Sequence, residues 1–415
     1  MNAGRTSQKL DAAWLREGPL SRLLSVLERD GEEARVVGGA VRNALLGEPV
    51  HECDVATTAV PDEVGRRVSK AGFKAVPTGI AHGTVTVVID GQPFEVTTLR
   101  KDVETYGRHA KVEFGRDWAG DAQRRDFTIN ALSVAPDGTV YDYTGGLADL
   151  AARRVQFIGD ARTRIEEDYL RILRFFRFHA AYGHGNPDQS GLHACIAARA
   201  GLDQLSRERV RMEMMKLLLA VRATPTLAVM SEVGLLLRVL GGVPYLAAFE
   251  MMSKVEHESG VAPDAARRLG ALGVATPEDA DRLWQRLRLT NVEHGRLGVM
   301  GAEWWRLSPT QGEQAARAQL YRLKPDHYVD CALLAWTRSQ AAAHDEAWRA
   351  LVSLPQRWTA PIFPLKAADF MRRGIDKGPA LGAAMRAAEA AWIGAGFPAG
   401  ADALDAIVTA SGQPK

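Results

Sequence analysis

Several things are scarce in this chain, and each scarcity excludes something. Its 415 residues hold three cysteines, Cys53, Cys195 and Cys331, odd in number and far apart. That excludes a disulfide-stapled scaffold and the paired spacing of a structural zinc site, and fits a reducing compartment. No run of eighteen apolar residues occurs, so no membrane span is expected. The opening Met-Asn-Ala-Gly-Arg-Thr-Ser-Gln-Lys-Leu lacks the apolar core of a signal peptide, and the expected location is cytoplasmic. Charge of one sign is missing too. A net charge of +2 neither demands nor excludes nucleic acid, so any such surface must be a local patch. Clear internal repeats and low-complexity tracts are absent, and no protein partner is implied. What is present, 46% apolar and 25% charged residues, describes a globular chain long enough for two to four domains or sub-domains.

Residues 36–58 organise the rest. Val36 and Val37 read as the end of a buried strand. Gly38 and Gly39 make a turn, and Ala40–Leu46 starts a helix that Gly47 ends. Such a turn leaves unpaired backbone N–H groups at a helix N-terminus, which suit an anionic phosphate. Arg42, in the first helical turn, is placed to add a guanidinium. A second short strand is expected to carry Glu52 and Asp54, whose i, i+2 spacing puts both carboxylates on one face, roughly 7 Å apart at Cα. Carboxylates so placed share hard cations such as Mg²⁺. A lone Gly-Gly is more often only a tight turn, and a lone Glu-x-Asp more often a solvated face. Both within twenty residues, with Arg42 between, favour nucleoside-triphosphate chemistry. The dinucleotide fingerprint G-x-G-x-x-G is not met, because its third glycine is absent.

Around this stretch, residues 11–30 predict a helix through Leu20, Leu23, Leu24 and Leu27, and Pro61–Lys70 predicts another. Phe73–Val76 reads as a strand, and Gly83–Asp90 with Phe94–Leu99 as a hairpin. His82 reads as a structural hydrogen-bonder. Glu95, on the returning strand, is a candidate third carboxylate or equally a solvated strand residue. Residues 100–123 are charged, glycine-containing and aperiodic, which reads as a mobile loop. Paired Arg124 and Arg125 with Asp126 precede an apolar stretch, ordinarily a surface charge cluster. Leu132–Ala135 and Val140–Tyr143 suggest a second hairpin. Beyond Leu150 strand signals almost stop, and helices are expected over 161–182, 190–200, 206–221, 225–239 and onward to about residue 400. On one helix Glu167, Arg171 and Arg174 fall at i, i+4 and i+7 beside Asp168. Tyr169, Ile172, Leu173 and Phe176 form its apolar stripe. Nine residues at about 100° each put Arg177 half a turn from Asp168. Ser206 is an N-cap candidate. A Gly-Pro turn at 378–379 precedes another helix.

Together these stretches resemble the class II tRNA nucleotidyltransferases, the CCA-adding enzymes that share a fold with bacterial poly(A) polymerases. Residues 36–58 are similar to motif A, with Glu52 where many members have Asp and Asn43 where Asp is common. Arg124-Arg125-Asp126-Phe127-Thr128-Ile129-Asn130-Ala131 matches motif B, residues 142–150 resemble motif C, 166–178 match motif D, and 206–210 resemble motif E. The likeness is strong over the first 220 residues and weak beyond. It implies an α+β fold: a mixed nucleotidyltransferase head with a small, antiparallel-rich sheet over residues 1–150, a helical neck over 151–222, and an all-helical body and tail over 223–415 that holds the tRNA acceptor arm. It also implies Mg²⁺ on Glu52 and Asp54, with Glu95 beside them. Gly38, Gly39, Arg42, Arg125, Asp126, Asp168, Arg171, Arg174 and Arg177 would bind the nucleotide. Tyr106–His109 resemble the centre of a flexible loop that helps the family change from C to A addition. The only candidate for a His-Asp phosphohydrolase centre, His257, is followed by Glu258, and no such domain is expected.

The implied reaction adds C, C and A to tRNA from CTP and ATP without a nucleic-acid template, releasing pyrophosphate. Cytosine and adenine both present an amine donor beside a ring-nitrogen acceptor, which a carboxylate (Asp168) and a guanidinium (Arg171) match. Uracil and guanine present the reverse. Poly(A) polymerase, a CC-only or A-only adder, and a non-catalytic RNA-binding protein remain the rivals.

Overall fold

The computed structural model describes residues 4–79, 83–106 and 109–411, with side chains omitted over 101–112. The chain packs as two compact units, Met1–Leu235 and Leu236–Lys415.

The first unit is built on an eight-stranded mixed sheet. Its early strands are β1 (Arg5–Lys9), β2 (Ala34–Val37), β3 (Asp54–Thr57) and β4 (Lys74–Gly79). β5 (Thr84–Ile89) and β6 (Gln92–Thr98) form the expected hairpin, and β7 (Arg100–Tyr106) and β8 (His109–Phe114) form a separate ribbon. β9 (Ser133–Val134) and β10 (Thr139–Tyr141) complete the set. The main sheet runs β1-β10-β9-β2-β3-β6-β5-β4, antiparallel throughout except for β3 beside β6.

Register gives this sheet two distinct faces. Val140, Val134, Val36, Val55, Val96 and Val85 stand in successive register across six strands, all buried. Side chains alternate faces along a strand, so the neighbouring row faces the other way: Tyr141, Ser133, Val37 and Asp54. The Pro19–Leu27 and Pro61–Lys70 helices pack on the sheet and bury Leu20, Leu23, Leu24, Leu27, Val64 and Val68.

Helices follow. Residues 161–182 are two helices, Ala161–Glu167 and Leu170–Tyr182, because Asp168 is extended (φ −156, ψ 103). The expected 225–239 helix is likewise divided into Ala223–Glu232 and Leu235–Leu240 around Gly234, whose φ is +75. The second unit is helical, with a buried ionic network in which Arg267 joins Glu256 and Asp330, and Arg296 joins Asp330. All three cysteines are free.

Two further expectations are corrected. The 100–123 stretch is a β-ribbon followed by the Trp118–Gln123 helix, since its charged residues pair strand to strand without an apolar face to betray them. Gly107 and Arg108 lie outside the described residues, as does His82. Glu52 precedes β3 in irregular backbone, so it is not a strand partner of Asp54.

Candidate active site

Gly38 has φ +70 and ψ −126, a conformation that side chains resist, and it opens the Gly39–Leu46 helix. A Cβ there would lie 3.4 Å from Arg125 Nη1. The turn therefore holds Arg125 above it, and Arg125 is steadied by Asp121 at 3.2 Å. Asp54 starts β3 beside Val37, one residue before the turn.

The in-register neighbour of Asp54 is Glu95. Val55 pairs with Val96 in parallel, so the residues just before them sit side by side on adjacent strands, about 4.8 Å apart in backbone. Asp54 keeps open surface as a residue, while its carboxyl is shielded by neighbours. Burial first, then the Glu95 charge, push that carboxyl above the ordinary carboxylate range. Arg125 pulls it down and Glu52 adds to the rise. Like charges held together in this way suit a cation. Among the described residues no three His, Cys, Asp or Glu side chains close a metal site by themselves. The Asp54 and Glu95 carboxylates are hard oxygen donors, the chemistry a divalent cation takes.

Arg42 is buried and already engaged. Its Nη1 donates to Asn130 Oδ1 at 2.5 Å, and its Nη2 to Asn43 Oδ1 at 2.9 Å and the Tyr182 hydroxyl at 2.7 Å. It also lies over the Tyr182 ring at 4.0 Å. Arg42 thereby ties the glycine turn to the Leu170–Tyr182 helix. Asp126 is buried beside it. Its Oδ1 accepts from the Phe127 N–H at 2.8 Å and Asn130 Nδ2 at 3.1 Å, and its Oδ2 accepts from Arg174 Nε at 2.7 Å. Burial would raise its pKa, but the Arg174 charge and these hydrogen bonds outweigh that and hold it low.

From Arg174 the network continues to Glu213 at 3.6 Å, and Glu213 accepts from Arg177 Nε at 2.5 Å. Asp168 does not pair with Arg171. Arg171 Nη1 donates to Glu167 and to the Arg164 carbonyl at 2.7 Å. Asp168 Oδ2 instead accepts from Arg209 Nη2 at 2.7 Å. Asp168, Ser206 and Arg209 line a cavity of about 600 Å³. Because Asp168 lies outside the Leu170–Tyr182 helix, the half-turn offset reckoned for Arg177 does not apply; Arg174 and Arg177 both form ion pairs with Glu213. Arg209 and Glu213 were missed by sequence reasoning. Their four-residue spacing on the Arg207–Leu218 helix, two charges on one face, was the available signal.

A family model described as the poly A polymerase head domain matches residues 34–156, and one described as the probable RNA and SrmB-binding site of polymerase A matches residues 188–250. The chain is 33% identical over 396 residues to the mitochondrial CCA tRNA nucleotidyltransferase 1 of Mus musculus, covering 91% of this chain and 87% of that protein. It is 31% identical over 376 residues to the CCA-adding enzyme of Limosilactobacillus fermentum, covering 88% and 90%. The solved structure of the Bacillus stearothermophilus CCA-adding enzyme in complex with CTP matches with a TM-score of 0.73 at 27% identity, covering 93% of this chain and 94% of that one.

Proposed function

The chain belongs to the class II CCA-adding enzymes, and from that premise we propose that it transfers cytidylyl and adenylyl groups from CTP and ATP to the 3′ end of tRNA at Asp54 and Glu95. The observation that carries this site is the placement of those two carboxylates, each one residue before the parallel Val55–Val96 pair, beside the Gly38 turn. Enzymes of this family are in general divalent-metal dependent. We infer Mg²⁺, held by Asp54 with Glu95 and Glu52 around it. When bound, such an ion supplies charge neutralisation for the 3′-oxygen and the triphosphate.

The remaining roles fall to the chain's own groups. Backbone N–H groups at the Gly38–Gly39 turn face the triphosphate. Arg125 adds a cation over that turn. Arg42 is already bonded within the protein, and its part is to fix the turn against the Leu170–Tyr182 helix and lend its charge to the site. Asp126, held ionised by Arg174, suits a ribose hydroxyl. Asp168 accepts a hydrogen bond from the base amine, with Arg171 or Arg209 as the matching donor. A pair of this polarity meets U or G with like groups facing, at roughly 1–3 kcal/mol for each unpaired polar atom. Arg174 and Arg177, joined through Glu213, brace this wall.

We assign the head to residues 1–150, the base-reading neck to 151–222 and the tRNA-holding body and tail to 223–415. No helix among the described residues is long and apolar enough to cross a membrane. The free cysteines favour the cytoplasm, although the mouse relative is named mitochondrial. The test is to incubate the protein with tRNA lacking its 3′ end, offering each labelled nucleotide singly and together, and to size the products. Two C and one A, then arrest, is the expected pattern. A long A tract would assign poly(A) polymerase, and arrest after CC or after A alone would assign a partial adder.

A further inference from the structure

The long Gly312–Arg338 helix is interrupted at one residue. Lys324 has φ +67 and ψ 162, followed by Pro325. Proline bars its predecessor from the helical region, but an extended negative φ would meet that demand. A positive φ with this ψ is glycine territory, and a lysine held there is strained. The interruption aims Lys324 into a cleft of about 370 Å³ between this helix and the Pro379–Gly394 helix. Arg322 and Arg386 line the same cleft.

The charges there are unbalanced. Arg317, on the same helix, has a carboxylate partner in Glu313 at 2.6 Å. Among the described residues Arg322, Lys324 and Arg386 are in no ion pair. The one carboxylate in the cleft, Glu389, accepts a hydrogen bond from the Tyr321 hydroxyl at 2.5 Å. Lys324 Nζ stands 5.3 Å from the Tyr321 ring centroid, which steers the ammonium without neutralising it.

We propose that this cleft is a phosphate site whose occupant is a backbone phosphodiester of the tRNA. Three cations and one occupied carboxylate leave a surplus of positive charge in a concave surface, which a phosphate meets with charge-assisted hydrogen bonds. This assignment rests on the tRNA substrate of the preceding section. Free phosphate or pyrophosphate shares the chemistry, so the experiment separates the two sources.

Lys324→Gly removes the ammonium and relieves the backbone, so its melting temperature is expected to equal or exceed that of the wild type. Its tRNA dissociation constant, measured by fluorescence anisotropy across a KCl series, is expected to rise roughly fivefold near 0.1 M salt. The slope of log K against log salt should flatten by about 0.7–0.9, the value of one phosphate contact. Lys324→Arg should keep affinity and slope, and Arg386→Gln should repeat the loss without touching the kink. The kcat for nucleotide addition at saturating tRNA should stay at the wild-type value in all three, which keeps this test independent of the chemistry at Asp54. Unchanged tRNA affinity and slope in Lys324→Gly and Arg386→Gln would overturn the proposal. So would calorimetry in which pyrophosphate binding is lost in both variants while tRNA binding is untouched, since that assigns the cleft to a free anion.

Discussion

Asp168 is paired with Arg209 across 2.7 Å, not with Arg171 three residues further along its own chain. The partner comes from the Arg207–Leu218 helix, and both residues line the same cavity. The carboxylate that would read the base amine is therefore aimed by a guanidinium from a different element. Arg209→Ala should free Asp168 and narrow the preference for CTP and ATP over UTP and GTP by about tenfold, the effect of one lost hydrogen bond to a charged group. Arg209→Lys should retain part of it. The check is kcat/KM for all four nucleotides, alongside Asp168→Ala and Arg171→Ala. Wild-type ratios in Arg209→Ala would show that Asp168 needs no such aim.

How much of this was legible in the sequence depends on how local each cause is. The strand, glycine turn and helix at 36–46 and the Pro61–Lys70 helix are set by neighbours in the chain, and they stand where the pattern put them. The helix break at Asp168 was hidden because Ile165 and Tyr169 carry the apolar period of Ile172, Leu173 and Phe176 back across it. Asp168 itself was the clue, since its side chain accepts from the Leu170 N–H at 3.1 Å in the manner of a cap. Partners at long range had no signal. Arg42 meets Tyr182 140 residues away, and the neighbour of Asp54 became Glu95 through a parallel pairing that no local pattern announces.

Glu213, itself buried, accepts from Arg177 at 2.5 Å and stands in an ion pair with Arg174 at 3.6 Å. Removing it leaves the Arg177 guanidinium in a shielded wall without its carboxylate, and Arg174 with Asp126 alone. Glu213→Ala is expected to cost about 3 kcal/mol of stability and to lower the melting temperature by several degrees. Thermal unfolding followed by circular dichroism reads this directly, and a melting curve unchanged from wild type would contradict it.

Gly38 takes a positive φ beside the site. Gly38→Ala should strain the turn by about 1–3 kcal/mol and press a methyl group toward Arg125. Nucleotide KM is expected to rise and kcat to fall, with little change in tRNA binding. Steady-state kinetics with CTP and a tRNA lacking its end would show the split, and wild-type constants would contradict it.

His179 is buried, and burial, with the nearby Arg222 charge adding to it, pulls its pKa down to about 4. The folded state binds this proton more weakly than the unfolded chain, whose histidine titrates near 6.5. Stability from this group is therefore full above about pH 6.5 and is lost progressively as pH falls toward 4. The loss approaches about 3 kcal/mol. His179→Gln should show a shallower decline of melting temperature between pH 7 and pH 5 than the wild type, and parallel declines would contradict the assignment.

The most direct measurement concerns Asp54. Asp54→Ala removes the carboxylate at the centre of the site from the first residue of β3, where its loss leaves the buried valine row intact. With tRNA lacking its 3′ end, CTP, ATP and Mg²⁺, incorporation should fall by at least a thousandfold, while the melting temperature and tRNA affinity stay at wild-type values. Turnover in Asp54→Ala equal to that of the wild type would contradict the placement of nucleotidyl transfer at this pair of carboxylates.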